Sequence, residues 1–455
     1  METGNRKTGF ILVTDVGSTN TKALLLKRDT GGRLEIAAGT EVPSTTGAPW
    51  NDACIGVGKS IITLESIVGE ILSRGMNMPS VPYFSAGSAG KPGDHDDIGP
   101  GTAGEIHVPA VRIYHNGNET AARELDDFVE KLGGNFNGFS ELQAFALSEI
   151  LPTPSALSNI LRLYCTRSGE RAAMIDMGGT YTGIFSGTGN DFHATLLRGI
   201  GTGRSMGGIL ARCGIRNIMA HLPEHYTEED VKEYAEKKVR FPESIPFGRG
   251  ETLVERTMAM LGASLALREH ASLHHAEKIP STDIDTLIGS GGVFAHAGRK
   301  AAFRMLAESS GLGGVIRLAV DTKSLAPHLG TLSEIDGDEA YRLFSEKCLE
   351  NLGWVVAPSG GFERGIPAIL VRNRDTGLDV EVPGGEVSFF DSGGDLEFIP
   401  YGDASLGEHP GHLTTDLPVL VDCRGAPDTR QATPLRDFGI PWFRHENLTG
   451  KGRSR

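Results

Sequence analysis

The sequence contains no run of about 18 apolar residues, the length that a helix needs to cross a bilayer. Its first residues, METGNRKTG, also lack the apolar segment of a secretory signal peptide. These two absences predict a cytoplasmic protein without a membrane partner.

Cysteine and positive charge are both scarce. No two of the five cysteines are spaced as a C-x-x-C pair or as metal ligands, so we expect them to be free thiols, mostly buried. Acidic residues outnumber basic ones by 58 to 44, which gives a net charge of −14. A predominantly basic surface is therefore excluded, and we expect no nucleic-acid partner.

Glycine, in contrast, is abundant. The chain has 61 glycines in 455 residues, whereas average usage would give roughly 32. They cluster where strand-like apolar runs end, which indicates many tight turns. A chain of this length suggests two or three domains.

The order of apolar patterns predicts an α/β fold with a mostly β C-terminal region. Strand-like runs alternate with amphipathic helices as far as residue 320, and short β-like runs follow. We predict domains over residues 8–150, 151–320 and 321–455. The longer predicted helices cover residues 52–73, 118–134 and 251–278.

Two stretches, DVGSTNTKA and DMGGTYTGI, repeat one pattern at an offset of 161 residues. Each follows an apolar strand, opens with an acid and continues with small residues. A strand–turn–strand unit that recurs in this way indicates a duplicated domain. The aligned pairs are Asp15 with Asp176, Gly17 with Gly178, Ser18 with Gly179, Thr19 with Thr180, and Asn20 with Tyr181.

The composition of these turns suits phosphate binding. A hairpin tip of Gly, Ser and Thr can direct backbone N–H groups and hydroxyls at one anion, because no bulky side chain blocks the approach. Asp15 and Asp176 would repel a bare phosphate, but they fit a Mg²⁺ ion held through its waters. The simpler alternative is that each motif is only a tight hairpin, although two copies in register make this less favoured.

A third element, LIGSGGVFAH, lies downstream where a strand is followed by a helix. Its segment Gly289–Ser290–Gly291–Gly292 would let backbone pack against an adenine ring and ribose. Two other patterns are rejected. ACIGVGKS ends like a Walker A loop but lies in a helical pattern with Ala53 at the first glycine position, and the adjacent His274 and His275 do not share a helix face.

Two phosphate hairpins followed by an adenosine element resemble the superfamily of actin, sugar kinases and heat-shock chaperone ATPases. The resemblance implies two ribonuclease-H-like domains around a nucleotide cleft. Within this superfamily the chain is most similar to the GlmL/MutL family, whose members are accessory proteins of adenosylcobalamin-dependent mutases such as glutamate mutase. This family is not the DNA mismatch-repair protein that shares the MutL name. The most family-specific signal is a D-x-R-G-x-P stretch before a tryptophan, here Asp422, Arg424, Gly425, Pro427 and Trp442.

The second hairpin departs from the family pattern D-x-G-G-A-T-T-D. Tyr181 replaces a small residue, and Gly183 stands where a second acid is common. FSAGSAGKPG is also only loosely like the corresponding family stretch. These departures bear on the hydrolysis rate and on the identity of the partner more than on the fold.

The resemblance implies an accessory or reactivating protein for a cobalamin-dependent mutase, with ATP and Mg²⁺ as cofactors. Asp15 and Asp176 would be the metal-binding catalytic acids. Two alternatives stay open: a small-molecule kinase of the same fold, with Glu141 or Asp191 as a guess for its base, or an actin-like nucleotide sensor that barely hydrolyses ATP. The sequence also leaves open whether the chain forms a homo-oligomer.

Overall fold

The computed structural model describes residues 9–47, 49–75, 77–88, 138–188, 191–274, 284–311 and 313–425, together with the backbone of 111–114. The predicted helix over 118–134, Pro427, Trp442 and His275 lie outside these residues.

The chain begins with one α/β lobe. The elements of this part of the chain are β1 (Phe10–Val16), β2 (Asn20–Arg28), β3 (Leu34–Pro43), α1 (Ala53–Val68), β4 (Ser73–Arg74), β5 (Met78–Pro79), β6 (Tyr83–Gly87), β7 (Val111–Tyr114), α2 (Phe139–Gln143), β8 (Leu151–Pro152) and α3 (Thr153–Ser168). Of these, β7 belongs to the sheet of the second lobe.

A second α/β lobe follows. Its elements are β9 (Ala172–Met177), β10 (Tyr181–Thr188), β11 (Asp191–Arg198), α4 (Met206–Cys213), α5 (Ile215–Ala220), α6 (Glu228–Arg240), α7 (Gly248–His274), β12 (Thr286–Ser290), α8 (Gly292–Ala295), α9 (Arg299–Ser310) and β13 (Gly314–Asp321).

The last part of the described chain is rich in strands. It contains α10 (Ala326–Ser333), α11 (Gly337–Leu343), a π-helical turn (Phe344–Cys348), β14 (Leu349–Ala357), β15 (Pro367–Asn373), β16 (Leu378–Pro383), β17 (Val387–Phe390), β18 (Gly394–Pro400), β19 (His412–Thr415) and β20 (Val419–Asp422).

The two lobes have the same sheet topology. The first sheet runs β3-β2-β1-β6-β8, and the second contains β11-β10-β9-β12-β13 in the corresponding order. In both, the first three strands are antiparallel, and the fourth and fifth are parallel to the first. The fold is thus the predicted pair of ribonuclease-H-like domains, and the motif repeat reflects a repeated domain.

The C-terminal strands divide between two sheets. β14, β20 and β17 extend the second lobe's sheet beyond β13, while β16-β15-β18-β19 form a separate four-stranded sheet. At the opposite edge of the second lobe's sheet, β7 pairs with β11 although it precedes α3 in the chain. A strand-rich C-terminal region is present as predicted, and the domain boundaries at 150 and 320 stay a prediction.

Local signals explain several helix ends. The α6 helix starts with a capping box between Thr227 and Asp230. The α1 helix starts at its Asp52 cap, but the prediction that it reaches residue 73 was wrong. It ends at Val68 because Gly69 adopts a left-handed conformation with φ of 70°.

The buried face of α1 also differs from the prediction. The apolar spacing of the predicted 52–73 helix would place Ile62, Ile67 and Ile71 on its core face, yet all three are exposed. Small residues take their place: Gly56 packs where an added Cβ would lie 2.9 Å from Thr21 Oγ1 on β2. The helix thus approaches the sheet too closely for a continuous row of large side chains.

The helices that follow the fifth strand of each lobe, α3 and α10, cross at small residues. A Cβ on Gly330 of α10 would overlap the carbonyl oxygen of Ala156 on α3. Leu157, Ile160, Leu329 and Leu332 from the same helices lie in one hydrophobic cluster that also contains Val13 of the first lobe. This crossing therefore connects the lobes below the cleft.

Gly330→Ala should lower the midpoint of thermal unfolding, with a cost of about 1–3 kcal/mol, because the added methyl group forces the helices apart. Gly337→Ala is the matched control, since an added Cβ in α11 comes no nearer than 3.9 Å to Leu163. The control should be neutral or slightly stabilising. Equal effects in calorimetry would contradict a tight crossing at Gly330.

Candidate functional site

A cleft of about 670 Å³ lies between the two lobes. Every predicted site residue except Gly289 lines it; Gly289 faces inward, and a Cβ there would lie 3.0 Å from the Phe294 ring. The lining residues of the first hairpin are Asp15, Gly17, Ser18, Thr19 and Asn20. Those of the second lobe are Asp176, Gly178, Gly179, Thr180, Tyr181, Ser290, Gly291 and Gly292.

Both hairpins are closed by the same backbone hydrogen bond. Gly17 N–H donates to the Asn20 carbonyl at 3.0 Å, and Gly178 N–H donates to the Tyr181 carbonyl at 3.0 Å. At Gly17 a Cβ would lie 2.8 Å from the oxygen that accepts this bond. Glycine at position 17 therefore follows from the turn geometry, independently of any ligand, whereas at Gly178 the corresponding distance would be an ordinary 3.4 Å.

The two hairpin tips touch across the cleft. The hydroxyls of Ser18 and Thr180 lie 3.3 Å apart, and a Cβ on Gly179 would overlap Thr19 Oγ1. The Thr19 hydroxyl is buried and has no hydrogen-bond partner within the described structure. The missing side chain of Gly179 thus allows the lobes to meet.

A segment that the sequence analysis missed supports the second tip. Thr202 N–H donates to the Gly178 carbonyl at 2.9 Å, and Gly203 N–H donates to the Gly179 carbonyl at 3.0 Å. The Ser205 hydroxyl donates to the Thr180 carbonyl at 2.8 Å. The available signal was the glycine-rich run GTGRS directly after β11.

The two predicted acids are held at the strand ends below the tips. Burial raises the pKa of both Asp15 and Asp176 to about 6. The Thr153 hydroxyl, at the start of α3, donates to Asp15 Oδ1 at 2.7 Å, which opposes the effect of burial. Both carboxylates therefore sit where a negative charge is costly unless a cation is near.

Lys22 is a cationic residue of the cleft that the sequence analysis did not single out. It lies directly opposite Asp15 in the β1–β2 register and lines the cleft. Its charge acts on Asp15, Asp176 and the fully buried Asp321 at the end of β13, and it lowers the pKa of each against the larger effect of burial. Its position seven residues after Asp15 was the signal available.

Other cleft residues come from distant parts of the chain. Glu41 Oε2 of the first lobe lies 3.9 Å from His296 Nε2 of the second, and this contact raises the pKa of the imidazole. Also in the cleft lining, Lys238 pairs with Glu255 at 3.3 Å. The Lys238 ammonium also donates to the Ser244 carbonyl at 2.8 Å, which ties the 241–247 loop to the wall.

Packing accounts for Gly183. A Cβ there would lie 2.7 Å from Phe185 Cε2 and 3.2 Å from Leu196 Cδ2. A carboxylate at this position would meet these apolar side chains. The space that a second acid would need in this hairpin is therefore occupied by Phe185 and Leu196.

The C-terminal motif lies away from the cleft lining. Arg424 is buried between Asp422 at 2.7 Å and Glu308 of α9 at 3.1 Å. The motif thus attaches the end of the described chain to the second lobe through buried charges that neutralise one another in part.

The lysine of the rejected Walker-like pattern and the two acids suggested as a kinase base lie outside the cleft lining. Lys59 lies in α1 with its ammonium 4.9 Å from the Trp50 ring centre, as expected of a helix residue outside a phosphate loop. Neither Glu141 nor Asp191 lines the cleft. The five cysteines are free thiols, of which Cys165, Cys348 and Cys423 are buried.

Within the described ranges, no cluster of three or more His, Cys, Asp or Glu side chains could hold a metal ion by itself. None of the helices in this part of the chain is both long and apolar enough to span a bilayer.

A family model described as "MutL protein" matches residues 117–348, just over half of the chain. No curated protein sequence matches the chain. The chain is also similar to three solved structures, whose TM-scores are too low to support an inference about it.

The first is the ethanolamine utilization protein EutJ from Carboxydothermus hydrogenoformans, with 15% identity, a TM-score of 0.36, and coverage of 72% of this chain and 90% of that one. The second is component A of (R)-2-hydroxyglutaryl-CoA dehydratase from Acidaminococcus fermentans, with 14% identity and a TM-score of 0.36. The match covers 73% of this chain and 100% of that one. The third is the activator of 2-hydroxyisocaproyl-CoA dehydratase from Clostridium difficile with bound ADPNP, with 14% identity and a TM-score of 0.36. The match covers 74% of this chain and 97% of that one.

The raised pKa of Asp176 predicts a pH dependence of stability. A rise in this pKa from 3.8 to about 6 on folding means that the folded state binds the proton more tightly than the unfolded state. The free energy of unfolding should therefore decrease as the pH rises from 4 to 6 and stay constant at higher pH. The full effect is roughly 3 kcal/mol. In EDTA without nucleotide, Asp176→Asn should raise the unfolding midpoint at pH 7.5 and leave it unchanged at pH 4.

Asp403→Asn, at an exposed carboxylate, is the control and should change neither value. If Asp176→Asn were equally destabilising at both pH values, burial of this charge would not be the cause of the raised pKa.

Proposed function

The chain belongs to the MutL protein family, and from this premise we propose that it is an ATP-binding and ATP-hydrolysing accessory protein that reactivates an adenosylcobalamin-dependent mutase. One observation carries the nucleotide site: two hairpins with the same closing hydrogen bond and the same leading acid meet in one cleft. The mutase partner rests on the family resemblance.

The proposed phosphate site uses the backbone of both tips. The N–H groups of Gly17 and Gly178 donate the hydrogen bonds that close the turns. The amides nearer the tips would then face phosphate oxygens, namely those of Ser18, Thr19, Gly179 and Thr180. Lys22 would add a positive charge from the floor of the cleft. The Gly291–Gly292 turn, in the second lobe, would lie against adenosine.

The residues at the strand ends fit a Mg²⁺ ion. Asp15 is a half-buried carboxylate and Asp176 a buried one. The pKa of each is raised because burial outweighs the charge of Lys22. A divalent ion would supply the missing charge, and a site with only two carboxylates suits Mg²⁺, which keeps several of its waters. When bound, the ion would neutralise charge on the phosphates.

The remaining work of the chain is positioning. The Thr153 hydroxyl fixes one oxygen of Asp15, and the Thr202–Ser205 segment fixes the second tip against the first. Phosphoryl transfer to water needs little covalent chemistry from the protein beyond such placement. Because the tips belong to different lobes, a nucleotide between them would bias the arrangement of the lobes and hence the affinity for a partner.

Asp15→Asn and Asp176→Asn should each weaken Mg²⁺-dependent ATP binding about tenfold or more, because the loss of one charge-assisted contact is worth about 1.5–3 kcal/mol. Isothermal titration with Mg²⁺ and with EDTA measures this, and the variants should approach the wild-type affinity in EDTA. The control is Asp191→Asn, at an exposed carboxylate outside the cleft. Unchanged affinity in both variants would refute the site.

A nucleotide-dependent partner is the second expectation. The tagged wild-type chain, incubated with native cell lysate, should retain a cobalamin-containing enzyme to different extents with ATP and ADP, as measured by mass spectrometry and by the cobalamin absorbance of the eluate. The double variant Asp15→Asn/Asp176→Asn should lose this nucleotide dependence. Recovery of no cobalamin enzyme under any condition would contradict the accessory role while leaving the nucleotide site intact.

A further inference from the structure

The second lobe carries a polar side chain where the duplicated topology does not require one. In the first lobe, Asp15 of β1 lies level with Ala86 of β6, and Ala86 lies level with Leu151 of β8. In the second lobe, Asp176 of β9 lies level with Ser290 of β12. The same strand position is thus a methyl group in one lobe and a hydroxyl in the other, so the fold itself does not explain Ser290.

A structural role accounts for the acid on the next strand but not for Ser290. Asp321 ends β13, the neighbour of β12. Its two carboxylate oxygens accept the N–H groups of Lys323 at 3.2 Å and Ala326 at 2.8 Å, which fixes the turn into α10. Ser290 is fully buried, and within the described residues its Oγ has no hydrogen-bond partner.

The Ser290 hydroxyl lies beside the Asp176 carboxyl. Burial raises the pKa of Asp176, and the neighbouring hydroxyl opposes this effect. The two groups nevertheless do not meet in a hydrogen bond. The hydroxyl therefore stays available to a third group that approaches Asp176 from the cleft, which both residues line.

A second hydroxyl of the same kind follows β13. Ser324 is 4% exposed, and its Oγ is also buried without a hydrogen-bond partner in the described part of the chain. Its backbone lies in the left-handed region with φ of 50°, which is unfavourable for a residue with a side chain. Ser324 also lines the cleft. Because a buried, unpaired hydroxyl costs free energy, two of them in one cleft indicate a ligand.

The hydration shell of a cation suits these hydroxyls. Asp176, beside Ser290, is one of the two carboxylates of the proposed Mg²⁺ site, and Mg²⁺ held by so few carboxylates keeps several waters. A metal-bound water is a strong hydrogen-bond donor because the ion polarises it, and a hydroxyl oxygen can accept the bond. A hydroxyl also accepts without adding negative charge to a cleft that already holds two acids.

We propose that Ser290 and Ser324 hold the hydrated Mg²⁺ ion from the second lobe by accepting hydrogen bonds from its waters. This proposal rests on the proposed nucleotide and metal site. Both serines would be positioning residues, since they act through the metal's waters and orient them. The surroundings of the ion would then differ between the lobes, with hydroxyls in the second lobe and Ala86 at the matching position of the first.

The test measures how the affinity for a non-hydrolysable ATP analogue depends on the Mg²⁺ concentration, by isothermal titration. Ser290→Ala and Ser324→Gly should each raise the Mg²⁺ concentration that gives half of the affinity gain by about 2- to 10-fold, because each removes one hydrogen bond to the hydrated ion. The affinity in EDTA should equal that of the wild type. Glycine is chosen at position 324 because it adopts the left-handed conformation without strain.

The unfolding midpoint separates this role from a structural one. In EDTA without nucleotide, both variants should unfold about 1–4 °C above the wild type, because each removes a buried, unpaired hydroxyl. The matched control is Ser158→Ala in α3, at a buried serine whose Oγ likewise has no partner among the described residues but which does not line the cleft. The control should share the gain in stability and leave the Mg²⁺ dependence unchanged.

Two results would overturn the proposal while leaving the nucleotide site in place. One is an unchanged Mg²⁺ dependence in either cleft variant. The other is a lower unfolding midpoint of these variants in EDTA, which would mean that the hydroxyls serve the fold. A wild-type chain that binds no nucleotide, or binds it equally with Mg²⁺ and with EDTA, would instead overturn the proposed function together with this role.

Discussion

The cleft is organised around two like charges, of which Asp176 is buried and Asp15 half-buried. Asp15 and Asp176 end the first strand of each lobe, and the shared topology brings these ends to one place. Burying a carboxylate costs free energy unless hydrogen bonds or a cation offset the loss of water. The Thr153 hydroxyl and the Lys22 charge offset part of this cost. A cation bound in the cleft would offset the remainder, so the remaining cost favours cation binding.

This constraint also explains why the surrounding chain is small and polar. A bulky residue at Gly17 or Gly179 would separate the tips or displace the closing hydrogen bonds. The segment after β11 fixes the second tip through backbone carbonyls, so the second tip is fixed without large side chains. The lobes can therefore meet at hydroxyls and amides, the groups that suit an anion.

The sequence predicted the parts of the site that depend on local pattern. An acid before a glycine-rich turn is visible in nine residues, and its repetition revealed the duplicated domain. Lys22, Glu41 and His296 were missed because their roles arise from strand register and from contacts between lobes, which no local pattern records. The same holds for β14, β17 and β20, whose strand-like runs were recognised but whose sheet was set by pairing partners far along the chain.

The end of α1 was mispredicted for a different reason. Apolar residues continue past Gly69 with helical spacing, and only the left-handed conformation of that glycine ends the helix. Ile71, which follows that glycine, is exposed as a result, whereas the neighbouring Leu72 returns to the same core. Periodicity alone does not show whether a glycine interrupts a helix or lies within it.

The crossing of α3 and α10 has a mechanical consequence. Helices that interdigitate through large side chains must lift those side chains out of their grooves before they can rotate. Gly330 and Ala156 present almost no side chain at the point of closest approach, so the two helices meet there as smooth surfaces. A rotation of the lobes about this point would leave the backbone contact nearly unchanged, whereas the flanking side chains of Leu157, Ile160, Leu329 and Leu332 would have to slide past one another.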